Sequence, residues 1–254
     1  MPTNSLYHTW FQRIRKLRPQ QRITQMRIFI WLLVGIYQSR SVNLSRIAGK
    51  IPGSAKLLST TRRLSRLLKN PAIRVREWYA PLAQQWLESQ FRSLGEVRLI
   101  VDGTKIGFQH QLLMVALAYR HRAIPIAWTW VPYVRGHSPV RQQLALLAYI
   151  RDQLLPKGAA VFLVGDCEFG SVAILRQLNH WRWFYVLRQK SSTHVWRGEE
   201  RGWQDFGRFA PAPGWNTWLG PSYLNESEIF PVNLLAYWKL GEKGTLVFGH
   251  QPAG

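Results

Sequence analysis

Two short apolar runs that each end in an aspartate constrain the fold of this chain more than any other feature. Residues 99–101 are apolar and lead into Asp102, and residues 161–164 are apolar and lead through Gly165 into Asp166. The chain contains only four aspartates, and two of them stand at these points. A run without polar alternation is typical of a central strand that is covered on both faces of a sheet. We therefore expect two strands whose ends carry carboxylates.

The hydrophobic pattern around these runs predicts the element order β-β-β-α-β-α-β. Residues 97–101 form the first strand, and QLLMVALAYR and AIPIAWTWVPY continue it as an antiparallel meander. The segment from GHSP to residue 155 predicts a helix, with Ser138 as its N-cap and Pro139 at its first position. AAVFLVGD, GSVAILRQLNH and WRWFYVLRQ then predict a strand, a helix and a strand. After Lys190, short alternating runs broken by Gly and Pro indicate a β-rich tail.

The N-terminal part of the chain is predicted to be helical. The periodicity favours helices over residues 21–38, 44–49, 54–69 and 72–92. Ser54 suits the N-cap of the helix over 54–69, and Asn70-Pro71 ends it. Its apolar stripe is predicted to be Leu57, Thr61, Leu64 and Leu68. Segment 44–69, a short helix, a turn with Gly53 and a longer helix, is similar to a helix-turn-helix.

The charge of the chain predicts a polyanionic partner. It carries 34 Lys+Arg against 13 Asp+Glu, a formal net charge of +21, and residues 1–76 contain no acidic residue. Nucleic acid is the first choice of partner and an anionic membrane surface the second. The basic residues that lie mostly off the stripe of the helix over 54–69 are predicted to contact DNA phosphates: Lys56, Arg62, Arg63, Arg66 and Lys69. The alternative is an ordinary helical hairpin with a solvated basic face.

Cysteine content and hydropathy bear on the compartment. The single cysteine, Cys167, excludes an internal disulfide framework and fits a reducing, cytoplasmic environment. The longest apolar run, residues 28–37, would span about 15 Å as a helix, half of a bilayer core. It is therefore predicted to be a buried helix, and we expect no membrane partner.

The two aspartates are predicted to bind a divalent metal. In an RNase H-like fold the first and fourth strands are neighbours, which would bring Asp102 and Asp166 close together. Mg²⁺ or Mn²⁺ takes carboxylate oxygens and keeps positions for water and phosphate. Two such ions about 3.5–4 Å apart can activate the attacking oxygen and stabilise the leaving one in phosphodiester transfer. The alternative is that each aspartate only forms a turn or caps a helix.

The stretches VDGTKIG and FLVGDCEFGS resemble the first- and second-aspartate motifs of DDE transposases from bacterial insertion sequences, of the insertion-sequence-four type. The matching features are Asp102 followed by the small residue Gly103, and Asp166 followed three positions later by the aromatic Phe169. The resemblance covers residues 97–190 best and includes the GHSP loop. It implies an RNase H-like core, Mg²⁺-dependent phosphodiester hydrolysis and strand transfer at element ends. It also implies double-stranded DNA as partner (terminal repeats and target), a homo-oligomer on DNA, and a bacterial nucleoid-associated location.

The chain departs from this family at the third carboxylate. The family carries it as a Glu on a helix after a β-rich insertion, in the pattern Tyr, two residues, Arg, three residues, Glu, six residues, Lys, which this chain lacks. Glu242 lies in a turn-like stretch, and Glu168, two residues after Asp166, is the nearest substitute. We therefore expect the chain to end within the insertion and to be inactive by itself.

The expected domains are a helical DNA-binding domain over 1–95, the first part of the catalytic core over 96–190 and a truncated β-rich insertion over 191–254. Two other functions stay open at this point. One is a non-catalytic DNA-binding protein or transposition repressor, and the other is an RNase H-like nuclease.

Overall fold

The computed structural model describes residues 3–107, 109–132, 138–198, 202–241 and, as backbone, 246–250. Its helices are α1 (Thr3–Leu17), α2 (Ile23–Ser39), α3 (Leu44–Ala48), α4 (Leu57–Leu68), α5 (Val75–Leu94), α6 (Val140–Gln153) and α7 (Val172–His180). Its strands are β1 (Glu96–Ile106), β2 (His110–Tyr119), β3 (Arg122–Pro132), β4 (Ala160–Gly165), β5 (Phe184–Gln189), β6 (His194–Trp196), β7 (Gln204–Asp205), β8 (Asn216–Leu224), β9 (Phe230–Tyr237) and β10 (Leu246–His250). The chain divides into two compact units between Leu82 and Ala83, inside α5.

The first unit is an all-α unit held by two apolar clusters. One cluster joins α2, α3 and α4 through Leu32, Ile47 and Leu64, and the other joins α1 and α2 through Leu6 and Met26. The helix α1 was not predicted, although Leu6, Trp10 and Ile14 recur at helical spacing and pack on one cluster. The predicted helices over 21–38 and 44–49 are present with their ends shifted by one or two residues.

The helix predicted over 54–69 begins later than expected. Lys56, not Ser54, occupies the N-cap position, because Ile51 packs into the core and Gly53 turns the chain with φ of +141° before the helix starts. The predicted apolar stripe is also partly wrong. Leu64 is buried as predicted, but Leu57 and Leu68 are 53% and 60% exposed, and Leu67 is buried in place of Leu68.

The second unit is built on a mixed sheet with helices. The strand order is β3-β2-β1-β4-β5-β10-β9-β8-β6-β7. Strands β1, β2 and β3 form an antiparallel meander, and β1, β4 and β5 are parallel neighbours. The predicted order β-β-β-α-β-α-β and the predicted pairing of the first and fourth strands are thus confirmed. The β-rich tail joins this same sheet, because β10 forms an antiparallel ladder with β5.

One face of β1 and β4 is fully buried. On this face lie Val97, Leu99 and Val101 of β1 and Val161 and Leu163 of β4. α6 and α7 contact each other and the sheet, and supply the buried side chains Leu146, Leu147, Ile150, Ile174, Leu175 and Leu178. Because side chains alternate along a strand, the neighbouring residues of β1 and β4 point to the opposite face.

No helix in the described segments combines the length and the apolar character that crossing a bilayer requires.

Candidate functional site

Strand register places the two predicted aspartates side by side. Val101 of β1 is opposite Gly165 of β4 in a parallel ladder, and the next residue on each strand is an aspartate. Both aspartates thus directly follow the last paired residues of two neighbouring strands, whose spacing within a ladder is about 4.8 Å. Asp102 lies inside β1 rather than at its end, because β1 continues to Ile106 along β2 after β4 has ended.

Both carboxylates point to the same exposed face of the sheet. The side chain of Val101 faces the core, and a Cβ atom at Gly165 would do so too. The side chain of Asp102, one residue further along β1, therefore faces away from the core. Asp166 has φ of −77° and ψ of 175°, an extended conformation that continues the alternation of β4. Asp102 Oδ1 accepts a hydrogen bond from the Gly103 amide at 2.8 Å, and Asp166 Oδ1 accepts one from the Cys167 amide at 2.5 Å. Asp166 therefore also caps the short 3-10 helix Cys167–Phe169.

A basic side chain stands next to the aspartates. Arg188 follows Leu187, the β5 partner of Gly165, and its Nη1 is 3.9 Å from Asp166 Oδ1. Both side chains are about half exposed, so this ion pair contributes little stability. Burial raises the pKa of the neighbouring Cys167 thiol, the hydrogen bond and charge of Asp166 raise it further, and the charges of Arg188 and Lys190 oppose the rise. This end of the sheet therefore combines two carboxylates with two cations.

On the same face, the residues that precede the aspartates along their strands are apolar and partly exposed, so the expectation that the run 161–164 is covered on both faces was wrong. Ile100, Val164 and Val186 lie in one row across β1, β4 and β5, and Val164 and Val186 are 48% and 44% exposed. Phe162 stacks on Phe184 in the next row, with ring centroids 4.8 Å apart. We call these five residues the apolar site face. Apolar patches of this kind often mark surfaces that another element or partner covers.

Glu168 lies near the aspartates but on the other side of β1. Its carboxylate oxygens accept hydrogen bonds from Gln111 Nε2 at 3.1 and 3.0 Å, from the Ser138 amide at 2.8 Å and from the Ser138 hydroxyl. It also lies against the Cα of Gly103, whose missing side chain would point away from the face that carries Asp102. Glu168 is therefore not placed to complete a metal site with the two aspartates.

The residues present fit a magnesium ion that retains much of its own water. Asp102 and Asp166 offer oxygen ligands on an exposed face, and Mg²⁺ is commonly held by one or two carboxylates together with substrate phosphates. Within the described residues, no group of three or more His, Cys, Asp and Glu side chains could hold a metal. Gly136 and His137 of the GHSP loop, and Glu242, lie outside the described residues.

The basic residues predicted to bind DNA are all on the surface of the first unit. Lys56, Arg62, Arg63, Arg66 and Lys69 are exposed along α4 and at its two ends. None of them forms an ion pair with a described residue. By contrast, Arg74 near the start of α5 pairs with Glu77 at 3.1 Å. The α4 surface is therefore a run of uncompensated positive charge.

Three buried polar residues near the site were missed by the sequence analysis. Gln111, Ser138 and Gln143 are all at most 5% exposed and lie around Glu168. Ser138 was predicted as a helix N-cap, but α6 begins at Val140 with Pro139 in the cap position, and the Ser138 hydroxyl instead bonds Glu168. Gln111 gave a usable signal, because it is a polar residue at a core-facing position of an otherwise apolar strand.

No protein-family model matches the chain, and no curated protein shows significant similarity to it.

Proposed function

We propose that this chain is a DDE-type DNA transposase of the insertion-sequence-four type, with an RNase H-like second unit. The proposed activity is Mg²⁺-dependent phosphodiester hydrolysis and strand transfer at the ends of a DNA element. The observation that carries the proposal is the placement of Asp102 and Asp166 side by side on one exposed face of adjacent parallel strands. The strand order β3-β2-β1-β4-β5, with β2 antiparallel to β1, supports the RNase H-like assignment.

In this proposal each residue of the site has a stated task. Asp102 and Asp166 hold Mg²⁺ (or Mn²⁺) through carboxylate oxygens, and the amides of Gly103 and Cys167 orient those carboxylates. The bound metal would supply Lewis-acid activation of the attacking oxygen and charge stabilisation at the phosphate. Arg188 and Lys190, whose charges reach the Asp166 turn, bind phosphates of the DNA strand that enters the site.

The apolar site face supports a further part of the proposal. The family carries its third carboxylate on a helix, and a helix must bury an apolar stripe against another element. An uncovered apolar surface directly below Asp102 and Asp166 is a surface on which such a helix would bring a glutamate to the two aspartates.

The first unit is proposed to bind double-stranded DNA through the exposed basic residues of α4. Contacts of this kind neutralise phosphates and supply affinity without reading sequence. Terminal repeats and target DNA are the proposed ligands, and synapsis of two ends is proposed to involve a homo-oligomer. The presence of only two carboxylates at the site, among the described residues, favours a second candidate: a DNA-binding repressor of transposition that does not cut.

Calorimetric titration with Mn²⁺ tests the metal site. The wild-type chain should bind Mn²⁺ weakly, since two ligands are present, and Asp102→Asn and Asp166→Asn should each abolish binding. Asp152→Asn and Asp205→Asn are matched controls, because these two aspartates lie elsewhere and pair with Arg151 and His194. Unchanged binding in the Asp102 and Asp166 variants would exclude the site.

The products formed on DNA separate a transposase from a nuclease. Cleavage followed by strand joining would indicate a transposase, and cleavage without joining an RNase H-like nuclease. Binding without either reaction is expected both of the repressor and of residues 1–254 by themselves, because the described residues provide only two carboxylates at the site.

A further inference from the structure

The carboxylate of Glu168 is held by a set of buried donors that connects three elements of the second unit. Gln111 of β2 donates to both oxygens, and Ser138, which precedes α6, donates through its amide and its hydroxyl. Gln143 of α6 donates to the main-chain oxygen of Glu168 at 3.3 Å and to the hydroxyl of Ser138 at 2.9 Å. The turn that carries Asp166 is thereby fixed to β2 and to the start of α6.

Gly103 leaves the space that this arrangement needs. A Cβ atom at position 103 would come within 2.7 Å of Glu168 Oε2 and closer still to Gln111 Nε2. Because real Cβ atoms essentially never approach so closely, the glycine after Asp102 lets Glu168 cross beneath β1. One of the sequence neighbours of Asp102 therefore supports the turn that carries Asp166.

The Glu168 carboxylate is held mainly through one of its oxygens, Oε1. Oε1 accepts from Gln111 Nε2 and from the amide and the hydroxyl of Ser138, whereas Oε2 accepts only from the same Gln111 nitrogen. Hydrogen bonds to an ionised acceptor are shorter and stronger than neutral ones, so this set resists rearrangement. Glu168 could reach the face that carries Asp102 and Asp166 only by leaving its place against Gly103 and giving up its bonds to Gln111 and Ser138.

We propose that Glu168 is a positioning residue, which fixes the Asp166 turn to β2 and to the start of α6 through Gln111 and Ser138 and so sets the separation of the two aspartates. The inference rests on the proposed function only in its consequence for metal binding. Mutation of a residue that holds the metal ligands in place without binding the metal itself typically changes metal affinity by about 10- to 100-fold. The tie between the turn and β2 exists with or without a metal.

The test uses the full chain and two readouts. Mn²⁺ affinity is measured by electron paramagnetic resonance, and the order of the turn is measured by amide hydrogen exchange of residues 165–170 without metal. The variants are Glu168→Gln, Gln111→Glu and the exchange of the two side chains, Glu168→Gln with Gln111→Glu. Glu88→Gln, at a partly exposed acid that pairs with Arg92 on α5, is the matched control.

The two single variants and the side-chain exchange, which is the double variant, should behave differently. Glu168→Gln leaves one carbonyl oxygen to face the donors of Gln111 and Ser138. Amide hydrogen exchange at residues 165–170 should therefore become faster, and Mn²⁺ affinity should fall by about 10- to 100-fold. Gln111→Glu sets two carboxylates against each other and should act in the same direction. The side-chain exchange again pairs an amide with a carboxylate and should recover most of both readouts. Glu88→Gln should change neither.

Two results would overturn the inference. The first is hydrogen exchange at residues 165–170 that is unaffected by Glu168→Gln. The second is complete loss of Mn²⁺ binding in Glu168→Gln that the side-chain exchange does not recover, which would make Glu168 a direct ligand. Failure of the proposed function is distinguishable. In that case Asp102→Asn and Asp166→Asn leave Mn²⁺ binding as in the wild type. Faster amide hydrogen exchange in Glu168→Gln, and its return to the wild-type rate in the double variant, would still support the positioning role.

Discussion

Gly165 controls how closely the two aspartate-bearing strands approach, and Gly165→Ala should measure this. A Cβ at position 165 would lie 2.6 Å from Val101 Cγ1, 3.0 Å from Leu187 Cδ2 and 3.3 Å from Phe169 Cδ2. Val101 cannot easily turn away, because a β-branched side chain has little freedom at χ1. The added methyl group must therefore push β4 away from β1 at the point where Asp102 and Asp166 meet.

The expected cost is that of overpacking a buried site, about 1–3 kcal/mol. With a loss of about 2 kcal/mol and an m-value of about 2 kcal/mol/M, the urea midpoint should fall by roughly 1 M. The assay is urea unfolding followed by the strand signal in far-ultraviolet circular dichroism, since the described strands all lie in the second unit. Gly49→Ala is the control, because a Cβ there would meet its nearest neighbour at an ordinary 3.6 Å.

A double mutant identifies the clash. Val101→Ala removes the methyl group nearest to position 165, so Gly165→Ala with Val101→Ala should cost less than the sum of the two single variants, by about 0.5–3 kcal/mol. A midpoint that Gly165→Ala does not change, or effects that simply add, would refute this account of the strand contact.

Three further predictions concern the two units separately. Replacing Arg62, Arg63 and Arg66 together by alanine should weaken binding to all DNA sequences and lower the slope of log affinity against log salt by about 2.7, whereas Arg74→Ala, at a residue already paired with Glu77, should change it less. Purified residues 1–254 should neither cut nor join DNA, because only two carboxylates lie together on the exposed face among the described residues, and robust Mg²⁺-dependent cleavage would contradict this. Burial raises the pKa of the Tyr185 hydroxyl above its ordinary value. The contribution of the neutral hydroxyl to stability is therefore fully present below about pH 10 and is lost as the pH rises further. Tyr185→Phe should reduce this alkaline loss of stability, measured by urea unfolding at increasing pH.

The order of the elements could be read from the sequence because the period of the hydrophobic pattern is a local property. The run 161–164 contains no polar residue and lies in β4. The apolar residues within 172–180 recur at the spacing of a helix. That β1 and β4 are adjacent in the sheet was predicted from the expected fold and not from any local sequence pattern. The exact stripe of α4 could not be read, because Leu67 and Leu68 are equally apolar and only packing on α2 and α3 decides which is buried.

The aspartates were found because each follows an apolar run, but the groups around them were not. The role of Gly103 depends on Glu168, which is distant in sequence and reaches it beneath β1. Ser138 has the local pattern of a helix cap, and its bond to Glu168 exists only after β4 and α6 have packed. Contacts of this kind join residues that are distant in the chain, so no short pattern predicts them.

Iron-mediated cleavage of the protein itself tests the central claim most directly. Fe²⁺ bound in place of Mg²⁺ generates hydroxyl radicals in the presence of ascorbate and peroxide, and these radicals cut the backbone close to the metal. The account predicts two cuts, near Asp102 and near Asp166, which Mg²⁺ suppresses by competition and which either Asp102→Asn or Asp166→Asn removes together. Cuts at other positions only, or cuts that persist in both variants, would contradict a metal site shared by the two aspartates.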